Sequence, residues 1–480
     1  MSLLRENWAV STFGEICDYV QRGKSPKYAE ASDLPVINQK AIRWFGLQDE
    51  YLKYVHPEQI DSWTPERYIR LGDVLWNSTG TGTIGRACLI RVVNLDSPKV
   101  VDSHVTILRS NPEIDPRYLF YWIMGPTIQE RISDLSTGTT NQVELNRQIV
   151  LETKIPVPPL AEQKRIADKL DQTLAIVERA KARLARVPEI LKQFRQSVLA
   201  AATYGRLTED WRESQSVFRE APISVNSPEN VMPFFDIPGS WKWSKISNIG
   251  LVKGGKRLPK GESLLSRDTG YPYLVAGQLK NGTVSSDNQQ YLTEELHEKL
   301  KRYTVRSGDV FITIVGACIG DSGVIPAKFD GANLTENAAK ICNLKGASSS
   351  YLAYWLRSNI CQEFIRFSIK SGAQGKLALC RIEEIPVPLP PDLEQQEILR
   401  RIDILFAVAD RIEVRYQAIS EKVDKLTQAL LAKAFRGELV PQDPNDEPAS
   451  VLLERIRAQR RVQPSTKSIS HRKMVVTTES

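Results

Sequence analysis

The run from Pro158 to Leu207 realigns on Pro390 to Leu439 without a gap, at one constant offset of 232 residues (390 − 158 and 439 − 207). Each copy opens with a Pro-Pro step followed by Glu-Gln, at Pro158, Pro159, Glu162 and Gln163 and again at Pro390, Pro391, Glu394 and Gln395. A chain that repeats a whole helix together with the domain before it has internal pseudo-twofold symmetry. Its natural partner is something else with two similar halves. Duplex DNA carrying a bipartite site leads that class.

Both copies carry apolar residues at heptad spacing. One seam runs from Ile166 through Leu170, Thr173, Val177, Ala180, Leu184, Val187, Leu191 and Phe194 to Val198. The other runs from Ile398 through Ile402, Leu405, Ala409, Ile412, Tyr416, Ile419, Val423 and Leu426 to Leu430. Such seams predict coiled-coil helices roughly 60 Å long at about 1.5 Å per residue. Pro188 interrupts the first copy where the second has Ser420, so a kink is expected in the first only. Gly205 and Gly437 are matched C-terminal stops. Equal length and register favour pairing of the two helices within the chain, which would fix the distance between its globular parts. The other reading packs each helix on its own domain or on another chain.

The globular parts repeat as well. Trp8 answers to Trp241, Gly72-Asp73-Val74 to Gly308-Asp309-Val310, and Ile84-Gly85 to Ile319-Gly320. Tyr118-Leu119 with Tyr121-Trp122 answers to Tyr351-Leu352 with Tyr354-Trp355, and Ile155-Pro156-Val157-Pro158 to Ile385-Pro386-Val387-Pro388. The fold class expected is α+β, with two repeated globular domains alternating with two long helices. The boundaries are 1–157 for the first domain, 158–207 for the first helix and 208–235 for a polar linker. They continue with 236–389 for the second domain, 390–439 for the second helix and 440–480 for a partly disordered tail. That tail contains an amphipathic stretch from Ala449 to Arg461.

No run of eighteen apolar residues and no apolar leader is present, so a cytoplasmic protein is expected, with no membrane partner. Six scattered cysteines without CxxC spacing read as reduced thiols and not as a metal site. The net charge is +7, but its distribution is uneven. Residues 1–155 hold 17 Lys and Arg against 19 Asp and Glu, whereas residues 236–385 hold 20 against 14. Nucleic-acid contact in the first domain must therefore be local.

No phosphate-cradling loop, dinucleotide fingerprint, nuclease triad or base-methylation motif is present, so no catalytic residue is assigned. The repeat preserves donor-rich loops instead. Arg22, Lys24 and Lys27 around Gly23 answer to Lys253, Lys256, Arg257 and Lys260 around Gly254 and Gly255, cations suited to DNA phosphates. Asn38, Gln39, Lys40 and Arg43 stand opposite Gln278, Lys280 and Asn281, whose amide and cationic groups suit base edges. Ser78, Thr79, Thr140, Asn141, Gln374 and Lys376 add further donors. Ordinary surface polarity is the alternative for all of these.

Together the duplicated Ile-Pro-Val-Pro and Pro-Pro-x-x-Glu-Gln steps, the Gly-Asp-Val strand with its Ile-Gly, and Ala434-Phe435-Arg436-Gly437-Glu438-Leu439 resemble the specificity subunit of type I restriction-modification systems. The resemblance covers nearly the whole chain. It implies one target recognition domain per DNA half-site and an antiparallel coiled coil as spacer. It also implies partner subunits: modification subunits that bind S-adenosylmethionine and methylate adenine, and restriction subunits that use ATP and magnesium. This chain would bind none of these cofactors and carry neither activity. A stand-alone DNA-binding regulator and a coiled-coil scaffold between proteins are the competing readings.

Overall fold

A computed structural model describes residues 5–80, 82–93, 97–135, 144–215, 235–370 and 375–462. The chain forms two compact units, Met1–Leu184 with Ile419–Ser480 and Ala185–Ala418. Among the described residues no helix is long and apolar enough to cross a membrane.

In the first unit a four-stranded antiparallel sheet runs in the order Cys17–Arg22, Val105–Ser110, Val74–Asn77, Ala87–Leu89. In the second unit the same order returns as Leu251–Gly254, Ala338–Cys342, Val310–Thr313, Ser322–Val324. Each unit adds a smaller sheet containing one parallel pair, Val100–Val101 with Pro35–Ile37 and Pro272–Leu274 with Asn333–Leu334. The Gly-Asp-Val step starts a central strand in both. Gly72 and Gly308 hold φ of 85° and 86°, a conformation that favours glycine, and the following Asp accepts the N–H of Arg70 or Arg306.

The Tyr-Leu and Tyr-Trp repeats lie on the helices Pro116–Met124 and Ser349–Arg357. The Tyr118 hydroxyl donates to the carbonyl of Pro156, and the Trp122 indole to that of Lys154, at 2.8 and 2.9 Å. Tyr351 and Trp355 donate to Pro388 and Pro386 in the same way. These bonds correct the repeat alignment by two residues. Strand Lys154–Val157 is the counterpart of Pro386–Leu389, so Ile155-Pro156 answers to Val387-Pro388 and not to Ile385-Pro386. The register is set by what the strand pairs with, and the recurring letters are a near miss.

The Pro-Pro-x-x-Glu-Gln step has a structural role in both units. Trp8 donates its indole N–H to Glu162 at 3.0 Å, and Trp241 donates to Glu394 at 2.8 Å. Gln163 accepts the N–H of Asp115 and donates to the Pro158 carbonyl. Gln395 accepts the N–H of Ser348 and donates to the carbonyls of Gly346 and Pro390. Asp115 and Ser348 are the N-caps of the Tyr-Trp helices, so each Glu-Gln pair ties the first strand, that helix and the long helix together. All four side chains are buried. Burial pushes the Glu162 carboxyl pKa up, and the Trp8 indole and the Arg165 charge oppose that rise.

The first long helix runs as Leu160–Leu184 and Val187–Thr203, with Pro188 in the first turn of the second piece, while the second runs unbroken over Asp392–Phe435. Proline lacks the N–H that would continue the ladder, which accounts for the break. Within the second unit Arg195 pairs with Asp410 at 2.7 Å and Asp210 with Arg401 at 2.6 Å, so the partners run antiparallel. In the first unit Lys181 faces Asp424. Gly205 and Gly437 end the helices with φ of 74° and 72°.

The predicted seam is only partly buried. Ile412, Ile419 and Leu426 are 44%, 48% and 44% exposed, whereas Ile398, Ile402 and Ala409 are fully covered and Val423 is buried. The middle is covered at Ala409, Val423 and Thr427, so one of the two seam positions of the second helix lies a residue later than the apolar letters suggest, with Glu413, Ser420 and Thr427 turned in where Ile412, Ile419 and Leu426 turn out.

Parts of the segments read as linker and tail pack on the domains, while 216–234 and 463–480 lie outside the described residues. Thr208 is buried and donates to Glu394 at 2.7 Å, and Arg212 of the helix Glu209–Ser214 bonds the same carboxylate. The helix Ala449–Val462 buries Leu452, Leu453 and Ile456 against the first domain, and Arg455 pairs with Glu113 at 3.0 Å.

Replacing Gln395 by Leu keeps the volume but strands the Ser348 N–H and the Gly346 carbonyl. A loss of about 1–3 kcal/mol per stranded group is expected in the second unit alone. Hydrogen exchange should show faster opening of the Ser348 amide, with the Asp115 amide unchanged.

Candidate nucleic-acid interface

The donor-rich loops of the first unit meet at one end of its main sheet. Ser25 bonds Ser103 at 2.6 Å, Thr79 bonds His104 at 2.6 Å, and Asn77 donates to the Gln39 carbonyl at 3.0 Å. Gly23 makes the meeting possible. A Cβ there would lie 2.1 Å from the Asp102 carbonyl oxygen, and one on Gly255 would lie 2.0 Å from that of Thr335. The glycine turn is therefore a crossing of two backbones, and its cations project from the crossing. In the second unit Arg257 reaches Glu336 at 2.7 Å, and Ile314 bonds both Asn337 and Leu377, which gathers the matching loops.

The cations differ in how free they are. Arg22 is taken up by Glu144 and the Ser103 carbonyl, so the phosphate role expected for it is replaced by a structural one. Lys24 donates to the Ser62 carbonyl at 2.8 Å and lies 5.5 Å above the Trp63 ring. Lys27 is exposed and faces Glu58 loosely at 3.8 Å. Lys253, Lys256 and Lys260 are exposed, Lys256 lies 5.8 Å from the Tyr303 ring, and among the described residues none of the three forms an ion pair. The second unit thus presents the freer cations, in line with its charge.

Three of the proposed base readers are spent on their own loops. Gln278 is 3% exposed; it accepts the Val275 N–H and donates to Gln289 at 2.9 Å and to nearby carbonyls. Asn38 is 6% exposed, accepts the N–H groups of Lys40 and Ala41 and donates to the Tyr51 carbonyl. Ser78 is buried against Thr106 and the Trp76 carbonyl. A buried amide must satisfy its donors and acceptors internally, which leaves nothing to offer a base. The pairing of these loops also shifts, because the hairpins Ile42–Arg43 with Gly46–Leu47 and Leu279–Lys280 with Thr283–Val284 match Arg43 to Lys280 and Ala41 to Gln278.

Lys40, Lys376 and Lys280 are exposed, and Gln39 and Thr79 are half-buried. Arg43 bonds the carbonyls of Lys40 and Ile42 and lies 5.4 Å from the Tyr51 ring. Lys280 faces Asp287 at 3.5 Å. Asn281 sits at the hairpin tip with φ of 55°, next to the helix Ser349–Arg357 and away from the crossing loops. Thr140, Asn141 and Gln374 lie outside the described residues. His104, exposed and held by Thr79, was not singled out, since an isolated histidine carries no spacing signal.

Gln278→Ala is therefore expected to destabilise the 275–291 loop by about 1–3 kcal/mol. Base preference at every position of a binding site should stay as in the parent; a change confined to one base pair would restore Gln278 as a reader.

A family model described as the type I restriction modification DNA specificity domain matches residues 5–189 and 238–420. The specificity subunit of the type I restriction enzyme EcoBI from Escherichia coli is 35% identical over 343 residues, covering 68% of each chain. That of StySPI from Salmonella potsdam is 30% identical over 369 residues, covering 74% of each. Among solved structures, a chain from a study of type I R-M complex assembly superposes with a TM-score of 0.67 at 19% identity, covering 91% of this chain and 100% of that one. The HsdS subunit from Thermoanaerobacter tengcongensis gives 0.56 at 19%, covering 91% and 98%. Two family matches falling on the two repeated domains, with relatives alike over two thirds of their length, settle the assignment: the chain belongs to the DNA specificity subunits of type I restriction-modification systems, which supply sequence specificity and no catalysis.

Proposed function

We propose that this chain reads a bipartite, asymmetric double-stranded DNA site, residues 1–157 serving one half-site and residues 236–389 the other. It would do so in the cytoplasm, within a complex whose modification subunits methylate adenine with S-adenosylmethionine. Restriction subunits of the same complex would cleave with ATP and magnesium. The observation that carries this reading is a matched scaffold with unmatched loops. Strand order and the Glu-Gln ties coincide, yet Arg22 is answered by Gly254, Trp44 by Asn281 and His104 by Asn337. Two readers of one fold with different loops suit two different half-sites.

Exchanging residues 1–157 for those of a relative should change the recognised sequence in one half of the site only, as mapped from methylated adenines. If both halves changed together, the domains would not read independently.

Lys256 and Lys260 are expected to grip phosphate. Substituting either by Ala in the assembled complex should weaken binding to all sequences alike and reduce the slope of log affinity against log salt by about 0.9. A loss confined to one base-pair position would reassign that lysine to base reading.

A further inference from the structure

The second unit holds a cavity of about 680 Å³ at a place where the first unit has side chains of its own. Its walls are the hairpin tip at Asn281 and Thr283, the helix Ser349–Arg357, and the long helices at Arg195, Phe406 and Asp410. The matched elements show how it opens. In the first unit Trp44 on the hairpin packs against Phe120 with ring centroids 6.5 Å apart, and Arg91 and Arg117 reach Asp171 at 2.6 and 3.1 Å. The strand and helix registers put Asn281, Ala353, Pro326 and Ser350 at those four places. Each exchange removes bulk, and together they leave a space where a tryptophan, a phenylalanine and two arginines stood.

One exchange goes the other way. Arg357 stands where the first unit has the buried Met124, and its guanidinium lies in the cavity wall, 5.8 Å from the Tyr354 ring. Among the described residues no carboxylate comes within ion-pair distance of Arg357, whereas Arg195 across the cavity is held by Asp410 and Glu413 at 2.7 and 2.8 Å. Burial lowers the pKa of this half-buried cation while Tyr354 and Asp321 oppose the fall from beyond ion-pair distance, and a buried charge held so loosely is costly.

We propose that this cavity is a socket for one carboxylate side chain, a glutamate or aspartate of the modification subunit, with Arg357 as its counter-ion. The proposal rests on the reading that the chain assembles with modification subunits. A single free cation calls for a single anion, and Val324, Pro326, Ala353 and Phe406 offer an apolar wall for the stem of such a side chain. A DNA backbone fits worse, because a run of phosphates needs several cations, and here Arg195 is already held by Asp410 and Glu413.

The experiment measures assembly of the full chain with its purified modification subunit, using Arg357→Met, which installs the first unit's residue, and Thr283→Trp, which blocks the mouth from an exposed position. Both should weaken assembly about tenfold or more, with circular dichroism unchanged. A photo-crosslinking residue at position 283 should capture a modification-subunit segment containing Asp or Glu. Unchanged assembly in both variants would overturn the proposal. So would a crosslink to DNA, or a uniform loss of DNA affinity with assembly intact, either of which would make the socket a phosphate grip. Absence of any sequence preference in the parent complex would instead defeat the functional reading itself, whatever the variants do.

Discussion

In each unit one buried carboxylate beside one buried amide decides how strand, helix and spacer meet. Trp8 with Glu162, and Trp241 with Glu394, join the entry strand to the first turn of a long helix, and the neighbouring glutamine closes the N-cap of the helix that follows the main sheet. A buried carboxylate is expensive unless its oxygens are bonded: Glu394 has both bonded, by Trp241 and by Thr208 with Arg212, whereas among the described residues Glu162 has one bonded by Trp8 and the other buried without a hydrogen-bond partner. Tyr118, Trp122, Tyr351 and Trp355 extend the tie by donating to the strand carbonyls beside it. Loops at the far end of the sheet are thereby held on a rigid base, which is the arrangement recognition requires.

The two units share this base and diverge above it. Gly23 and Gly255 allow the same backbone crossing, yet the cations around them differ in freedom: Arg22 is consumed by Glu144, while Lys256 and Lys260 face solvent. The divergence extends to the flank, where four exchanges to smaller residues open a cavity in the second unit at a place the first unit fills with side chains. Symmetry in this chain belongs to the scaffold and to the glycine crossing, with Lys24 matched to Lys256, and asymmetry to most of the loop residues around them.

How much of this was legible depended on whether a feature is written in spacing or in burial. The repeat offset, the break at Pro188 and the glycine stops are matters of spacing and backbone chemistry, and the structure carries each of them. The Ile-Pro-Val-Pro letters misled by two residues, because strand register follows the donors of Tyr and Trp. Asn38, Ser78 and Gln278 looked like readers because polar letters in a loop do not say which way they face. The seam at Ile412, Ile419 and Leu426 stands one residue before the row that turns inward, Glu413, Ser420 and Thr427, because apolar letters do not say which way a helix face turns. Arg212 and Thr208 were hidden in a stretch whose composition reads as linker.

The ties at the base point mostly at main-chain atoms: prolyl and lysyl carbonyls, the amides of Asp115 and Ser348, the carbonyl of Gly346. A contact to the main chain does not care which side chain its host residue bears. Mutations can therefore accumulate in strands and loops without demanding a compensating change at the tie, and a domain inherited from another lineage meets the same docking surface. Such a chain can change its loops while its architecture stays still.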